Sequence, residues 1–311
     1  MRIKSTVTRL AHAKINLFLD VTGKRDDGYH TIAGIMQSIP LCDEVRVSLQ
    51  DKNDLSPSQS PITLTCSSPD IPTDQRNLGY KAAQRFTEAA GQGMADGAHR
   101  ICIDIQKHIP ASGGMAGGST DAAAVLLGMS ELSHAPLSQK QLMDIALSLG
   151  ADVPFCMVGG TQMTKGIGEL LTPLPPLPPC FILVACGGEG VSTPWAYQAL
   201  DGTYRNFDGR TYTPKSDALA AQIEALRAGD LRGVCENAYN IFESVVLPER
   251  PTARCIKETM IASGAMLAMM SGSGPSVFGI FESEKDARRA LSSVADCAED
   301  IFACEMFAHT P

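Results

Sequence analysis

No apolar run in the 311 residues approaches the roughly 20 needed for a membrane-spanning helix, so the sequence predicts no bilayer span. Nor is there an excess of positive charge. Lys and Arg number 26 against 34 Asp and Glu, and the formal net charge is -8. An acidic balance gives no general attraction to nucleic acid or anionic lipid, so an anionic ligand must be held by local groups. The ten cysteines include no C-x-x-C pair, and several lie inside apolar runs. That favours reduced core thiols in a cytoplasmic protein over a disulfide frame or a zinc site. The start, Met1-Arg2-Ile3-Lys4-Ser5, enters a strand-like pattern and has no signal-peptide character. There is no internal repeat. Two familiar nucleotide loops are also missing: no glycine loop ends in Gly-Lys-Ser/Thr, and none follows G-x-G-x-x-G.

What is present is organised around residues 107 to 127. Four glycines in six positions, Gly113, Gly114, Gly117 and Gly118, open backbone angles and remove side chains that would hold a bulky ligand away. Ser119, Thr120 and Asp121 offer cap oxygens, and the Ala-rich run after them predicts a helix that begins where the glycines stop. The strand-like Ile101 to Ile105 precedes the loop. A strand, a glycine loop and a helix N-terminus together make an anion site suited to phosphate, with a purely structural glycine turn as the alternative.

Taken in order, residues 6 to 22 read as a strand that places Lys14 and Asn16 on one face, either as a solvated edge or as a polar site. Tyr29 and His30 close a charged turn and could stack a flat ring. Strands are expected at 32–39, 44–49 and 62–66, and a helix at 78–90. A second helix, 138–149, ends at Gly150. Asp152 follows on a constrained turn before Val153-Pro154, a setting that can raise a carboxylate's basicity or fix its aim. A short strand is then expected at 155–158. Five prolines between Thr172 and Pro179 suggest a junction between domains 1–172 and 180–311. Beyond it the patterns predict a strand at 181–185, a helix at 193–200, a surface loop at 201–213, and helices at 217–228, 231–246, 252–263 and 284–298. Apolar runs 265–270 and 277–281 flank a second glycine loop in a hairpin-like arrangement, and a last strand is expected at 300–307.

Three motifs, in this order and spacing, resemble the GHMP small-molecule kinases over nearly the whole chain: Ala13-Lys14-Ile15-Asn16-Leu17, Ile109-Pro110 through Asp121, and Met270-Ser271-Gly272-Ser273-Gly274-Pro275-Ser276-Val277-Phe278. Gly28-Tyr29-His30-Thr31, Asp74-Gln75-Arg76-Asn77-Leu78 and Gly150-Ala151-Asp152-Val153-Pro154-Phe155 resemble the branch whose acceptor carries cytidine diphosphate. Ala111-Ser112 and Cys156 depart from that branch conservatively in size, and residues 201 to 215 match it poorly.

The resemblance implies an α+β fold, with a ribosomal-S5-like N-terminal domain and a C-terminal domain of antiparallel sheet with helices. It implies transfer of the ATP γ-phosphate to the 2-hydroxyl of a methylerythritol linked to cytidine diphosphate, in the non-mevalonate isoprenoid pathway. A homoserine-type or mevalonate-type acceptor is the alternative. By the same resemblance Asp152 is the base and Lys14 its cationic neighbour. ATP falls to Asn77, Leu78, Lys107 and the loop Pro110, Ala111, Ser112, Gly113, Gly114, Met115, Ala116, Gly117, Gly118 and Ser119, with Mg2+ sharing the charge and no metal ligand assigned. The cytidine substrate falls to Asn16, Tyr29, His30, Asp152, Thr193 and Tyr197. No nucleic-acid or membrane partner is expected, and a homodimer stays open.

Overall fold

The computed structural model describes residues 3–51, 60–91, 99–111, 113–133, 137–207, 212–298 and 301–309. Along the chain run β1 (Ile3–Lys24), β2 (His30–Asp51), β3 (Ile62–Cys66), α1 (Leu78–Ala90), β4 (His99–Gln106), α2 (Gly117–Leu132), α3 (Gln139–Leu149) and α4 (Val153–Val158). They are followed by β5 (Thr161–Lys165), β6 (Leu170–Pro173), β7 (Cys180–Gly187), α5 (Thr193–Tyr204), α6 (Ser216–Ala228), α7 (Leu231–Glu236), β8 (Tyr239–Asn240) and α8 (Glu243–Val246). The last elements are α9 (Pro251–Ala262), β9 (Leu267–Met270), β10 (Val277–Phe281), α10 (Glu284–Ala295) and β11 (Ile301–His309).

Two compact units emerge, and neither is continuous in sequence. One holds residues 1–13, 41–111 and 116–158, and the other 14–40, 112–115 and 159–311. In the first, the second half of β2 pairs antiparallel with β4, and β4 pairs parallel with β3. Alternate residues Val45, Val47 and Leu49 point to the same face as Ile101, Ile103 and Ile105, and Phe86, Val125, Leu126 and Met129 from α1 and α2 close over them. Strands of period two facing helices of period 3.6 produce this layered core. The 3.6 spacing of Leu142 and Ala146 brings α3 onto the same cluster.

In the second unit a four-stranded sheet of order β11-β7-β10-β9 is antiparallel throughout. Helices α9 and α10 cover it through Ile256, Met260, Ala287, Ala290 and Val294. The second half of β1 pairs with β8 in parallel, and the first half of β2 pairs with β5. A further apolar cluster joins Leu19, Val21 and Ile32 to Ala196 and Leu200 of α5 and to Phe242.

Four expectations are corrected. Residues 155–158 are helical, within α4, because the amide of Cys156 donates to the Asp152 carbonyl and Pro154 sits in a first turn where it needs no donor. The helix foreseen over 231–246 is broken into α7, β8 and α8, since Asn240 spends its side chain on other backbone: Nδ2 donates to the carbonyls of Met270 and Gly272. Strands 32–39 and 44–49 are one continuous strand, β2. Of the surface loop expected at 201–213, residues 201–204 are instead the end of α5 and 205–207 a 3-10 turn, 208–211 lie outside the described residues, and the Tyr212 hydroxyl donates to Asp20 at 2.5 Å.

Candidate active site

Lys14 and Asn16 occupy alternate positions of β1, and both are buried, so they are no solvated edge. The Lys14 ammonium donates to Asn16 Oδ1 at 2.7 Å, and the Lys14 amide donates to the Met115 carbonyl at 3.2 Å. The first half of the glycine loop is thereby stitched to β1. The second glycine loop meets it from β9–β10: the Ser276 amide donates to the Gly113 carbonyl at 3.2 Å, and Ser271 Oγ to the Gly114 carbonyl at 3.1 Å. Gly114 has φ 76°, and a Cβ there would lie 2.2 Å from the Ser271 carbonyl oxygen. A Cβ on Gly272 would lie 3.3 Å from Lys14 Nζ. Absent side chains let two backbones and an ammonium come together, and Asn16 Nδ2 is left there buried without a hydrogen-bond partner.

The other end of the loop starts α2. The helix begins at Gly117, two residues before the proposed caps, and its N-cap, Ala116, has φ 60° and no side-chain cap. Ser119, Thr120 and Asp121 are therefore inside the first turns. Thr120 Oγ1 donates to the His12 carbonyl, and Asp121 accepts from Lys107. A helix whose first amides have no side-chain acceptor, reached across two residues without Cβ, keeps its positive end for an anion. Lys107 Nζ lies 3.0 Å from where a Cβ on Gly117 would be, and Leu78 Cδ1 lies 3.6 Å from that of Gly118. Asn77 caps α1 through the Gly79 amide at 2.7 Å. Asp74, just before it, forms an exposed ion pair with Arg76, whose hydrogen bonds hold its carboxyl down to about 2.

Lys107 is buried between two carboxylates, Asp43 at 2.6 Å and Asp121 at 2.8 Å. Burial opposes its charge, but the two carboxylates outweigh it and raise its pKa. Asp43 was missed in the sequence. Its Oδ1 accepts from the amides of His108 and Ile109, which fixes the approach to the loop. Burial pushes the Asp121 carboxyl up to about 7, with Lys107 opposing and Asp43 adding to it. Two carboxylates around one ammonium in a buried place leave one charge unbalanced, and a proton answers it.

His30 opens β2 after a hairpin turn closed by the Arg25 amide on the Tyr29 carbonyl, with Gly28 at φ 88°. Its ring stacks on Tyr197 at 4.6 Å between centroids and 17° between planes, and Phe207 meets it edge-on at 5.8 Å. Tyr29 is 62% exposed. Thr193 reaches the second glycine loop, with Oγ1 2.9 Å from Ser273 Oγ. Thr193 and Tyr197 are one helical turn apart on α5, and the next residue of that stripe is Asp201, which sequence reasoning gave to a loop. Asp201 Oδ1 lies 2.7 Å from His30 Nε2, and Lys24 Nζ donates to Oδ2 at 2.5 Å. Continuing the i, i+4 spacing past Leu200 would have found it.

Asp152 lies in the turn before α4, between Gly150 and the buried Val153. Pro110 and Ala111 precede the loop in the smaller unit, and Ser112 lies outside the described residues. Among the described residues no group of three His, Cys, Asp or Glu side chains is arranged to hold a metal, and no helix is long and apolar enough to cross a membrane.

Residues 77–160 match the family model "GHMP kinases N terminal domain" and residues 222–300 the model "GHMP kinases C terminal". The chain is 40% identical over 282 residues to the 4-diphosphocytidyl-2-C-methyl-D-erythritol kinase of Lachnoclostridium phytofermentans, covering 90% of each. It is similar to a crystal structure of 4-(cytidine 5'-diphospho)-2C-methyl-D-erythritol kinase, with TM-score 0.73, 31% identity, and 97% and 98% of the two chains covered. L. major mevalonate kinase, at TM-score 0.74, 97% and 96% coverage and 18% identity, shares the fold. With both halves of the family matched and its signature glycine loops joined to Lys14, the chain belongs to the GHMP kinases, in the branch of the 4-diphosphocytidyl-2-C-methyl-D-erythritol kinases.

Proposed function

We propose that the chain transfers the γ-phosphate of ATP to the 2-hydroxyl of 4-diphosphocytidyl-2-C-methyl-D-erythritol, a step of non-mevalonate isoprenoid synthesis. The observation that carries the phosphate half of this reading is the start of α2: glycines at 117 and 118 and an N-cap without a side-chain acceptor. A triphosphate lying against Gly113 to Ser119 would take the amide hydrogens that nothing in a side chain claims. Asn77, Leu78 and Lys107 are assigned to the adenosine end. Lys107 has two of its three donors engaged by carboxylates, so its part is chiefly to hold the loop and it has one donor to spare.

Asp152 is the proposed base. Phosphoryl transfer asks for positioning and charge neutralisation more than covalent chemistry, and a carboxylate aimed from a turn fixed by Val153-Pro154 can take the hydroxyl proton as the oxygen attacks phosphorus. Lys14 is assigned to the phosphate being transferred. Mg2+ fits as an ion that enters on the triphosphate, as magnesium sites with few protein ligands do, and it would neutralise phosphate charge. Ser119, in the first turn of α2, is the protein oxygen proposed for it.

Asn16, Tyr29, His30, Thr193 and Tyr197 are assigned to the cytidine diphosphate moiety. Tyr197 already covers one face of His30, so a base stacks on the exposed Tyr29 and the open side of the cluster, with the His30 edge available for hydrogen bonding. Residues 1–172 and 180–311 are the proposed nucleotide and substrate domains, and the two family models fall on either side of that division.

The test is consumption of ATP by the purified chain with the diphosphocytidyl substrate, set against homoserine and mevalonate. Turnover with the first alone is expected, and preference for either other acceptor overturns the reading. Asp152→Ala should lower kcat at least ~100-fold, within the range for a lost general base, and leave ATP affinity within about threefold by calorimetry. Undiminished turnover removes Asp152 from the mechanism.

A further inference from the structure

His30 is 8% exposed, and its Nε2 is spoken for by Asp201. Nδ1 has no hydrogen bond among the described residues, so it is the ring nitrogen left for a ligand. The groups packed on the ring are known from each side: Tyr197 on its face, Phe207 against it edge-on, and Asp201 at Nε2 with Lys24 behind. Phe207 holds φ 59°, a conformation costly for a bulky residue, so the surrounding contacts over-determine its place. Burial works to raise the pKa of Asp201, but the hydrogen bonds from Lys24 and His30 outweigh it and hold the carboxyl below its ordinary range. At neutral pH it is a carboxylate, which can only accept.

We propose that Asp201 is a positioning residue that sets the tautomer of His30: its carboxylate accepts a hydrogen bond from Nε2–H and so leaves Nδ1 as an acceptor, aimed at a donor such as the amino group of cytosine. An imidazole that donates through one nitrogen accepts through the other, so a partner 171 positions away decides what the pocket can read. An oxo group in that place, as on uracil, would set acceptor against acceptor. The site would then select an amino pyrimidine over an oxo one by its second contact and not its first. The aromatic stack keeps the ring from turning, and Lys24 keeps the carboxylate from doing so. This rests on the cytidine reading of the His30 pocket given above.

The experiment is 15N NMR of the histidine-labelled full chain, with the His30 resonances assigned by their loss in His30→Gln, alongside steady-state kinetics. Wild type should show Nε2 protonated and Nδ1 bare, with Nδ1 shifting on addition of cytidine diphosphate. A proton on Nδ1 in wild type overturns the proposal without any variant. In Asp201→Asn the amide can donate, so the proton should move to Nδ1. The KM for the cytidine substrate should then rise about tenfold, the worth of one hydrogen bond, with kcat and the KM for ATP within about twofold, and a uridine analogue should lose its disadvantage. Asp201→Glu should restore most of the loss. An unmoved tautomer overturns the proposal, as does a moved one with unchanged KM or a KM for ATP that rises equally. Wild type that ignores the cytidine substrate brings down the functional reading instead, and the tautomer and its response to Asp201→Asn still decide what Asp201 does.

Discussion

Gly114 shows how much one missing carbon matters. Its φ of 76° costs any other residue about 1–2 kcal/mol, and a Cβ would press within 2.2 Å of the Ser271 carbonyl, which cannot yield without opening the second glycine loop. Gly114→Ala should therefore lower stability in urea by more than the strain alone, and lower kcat as well, because the loop carbonyl to which Ser271 Oγ donates must move. Gly28→Ala is the control. It also has φ 88°, but its Cβ would meet nothing within 4 Å, so only the conformational cost should appear. Equal losses for the two would show that close approach is not what Gly114 serves.

At the N-terminus of α2, charge and geometry are tied together. Asp43 fixes the amides of 108 and 109, Lys107 bridges it to Asp121, and Asp121 is in the first turns of the helix. Because the Asp121 pKa is raised toward 7, the folded chain keeps a proton that the unfolded chain has released. Stability from this group is thus greatest at low pH, falls between about 4 and 7, and is fully lost above that window. Asp43, Lys107 and the nearby Cys66 are the groups that face it. Asp121→Asn keeps an acceptor for Lys107 and removes the charge, so it should flatten the fall in Tm from pH 5 to 7.5. A slope identical to wild type would place the unbalanced charge elsewhere. Substituting Asp43 should be far worse, since three donors would lose their partner at once.

Across the molecule, the nine cysteines that the structure describes are free thiols, and burial raises those of Cys180 and Cys235 to about 12. They act as small apolar side chains, not as cross-links. Addition of a reductant should leave Tm unchanged, and a drop of several degrees would reveal a disulfide that the packing does not contain. Much of this architecture was legible in the sequence because it is periodic. Leu142 and Ala146 gave α3, Ala287 and Val294 gave α10, and the alternation of Ile101, Ile103 and Ile105 gave β4. Where local pattern misled, a distant partner had taken the side chain, as when Asn240 turned from a helix to two carbonyls 30 and 32 positions on.

Composition and spacing favoured reduced thiols and marked most of the helices and strands and the two glycine loops, because backbone propensity and binary pattern act over a few residues, and the motifs at those loops carried the resemblance to the kinase family. Folding in three dimensions decided that Lys14 and Asn16 are buried and that α2 begins uncapped at Gly117. It also decided that Asp43 and Asp201, which lie in none of the motifs, join in holding Lys107 and His30 in place. Those partners stand 64 and 171 positions away, and no local rule reaches that far; only the closing of the sheet and the packing of α5 bring a carboxylate to a buried cation or ring, where desolvation makes the pairing obligatory.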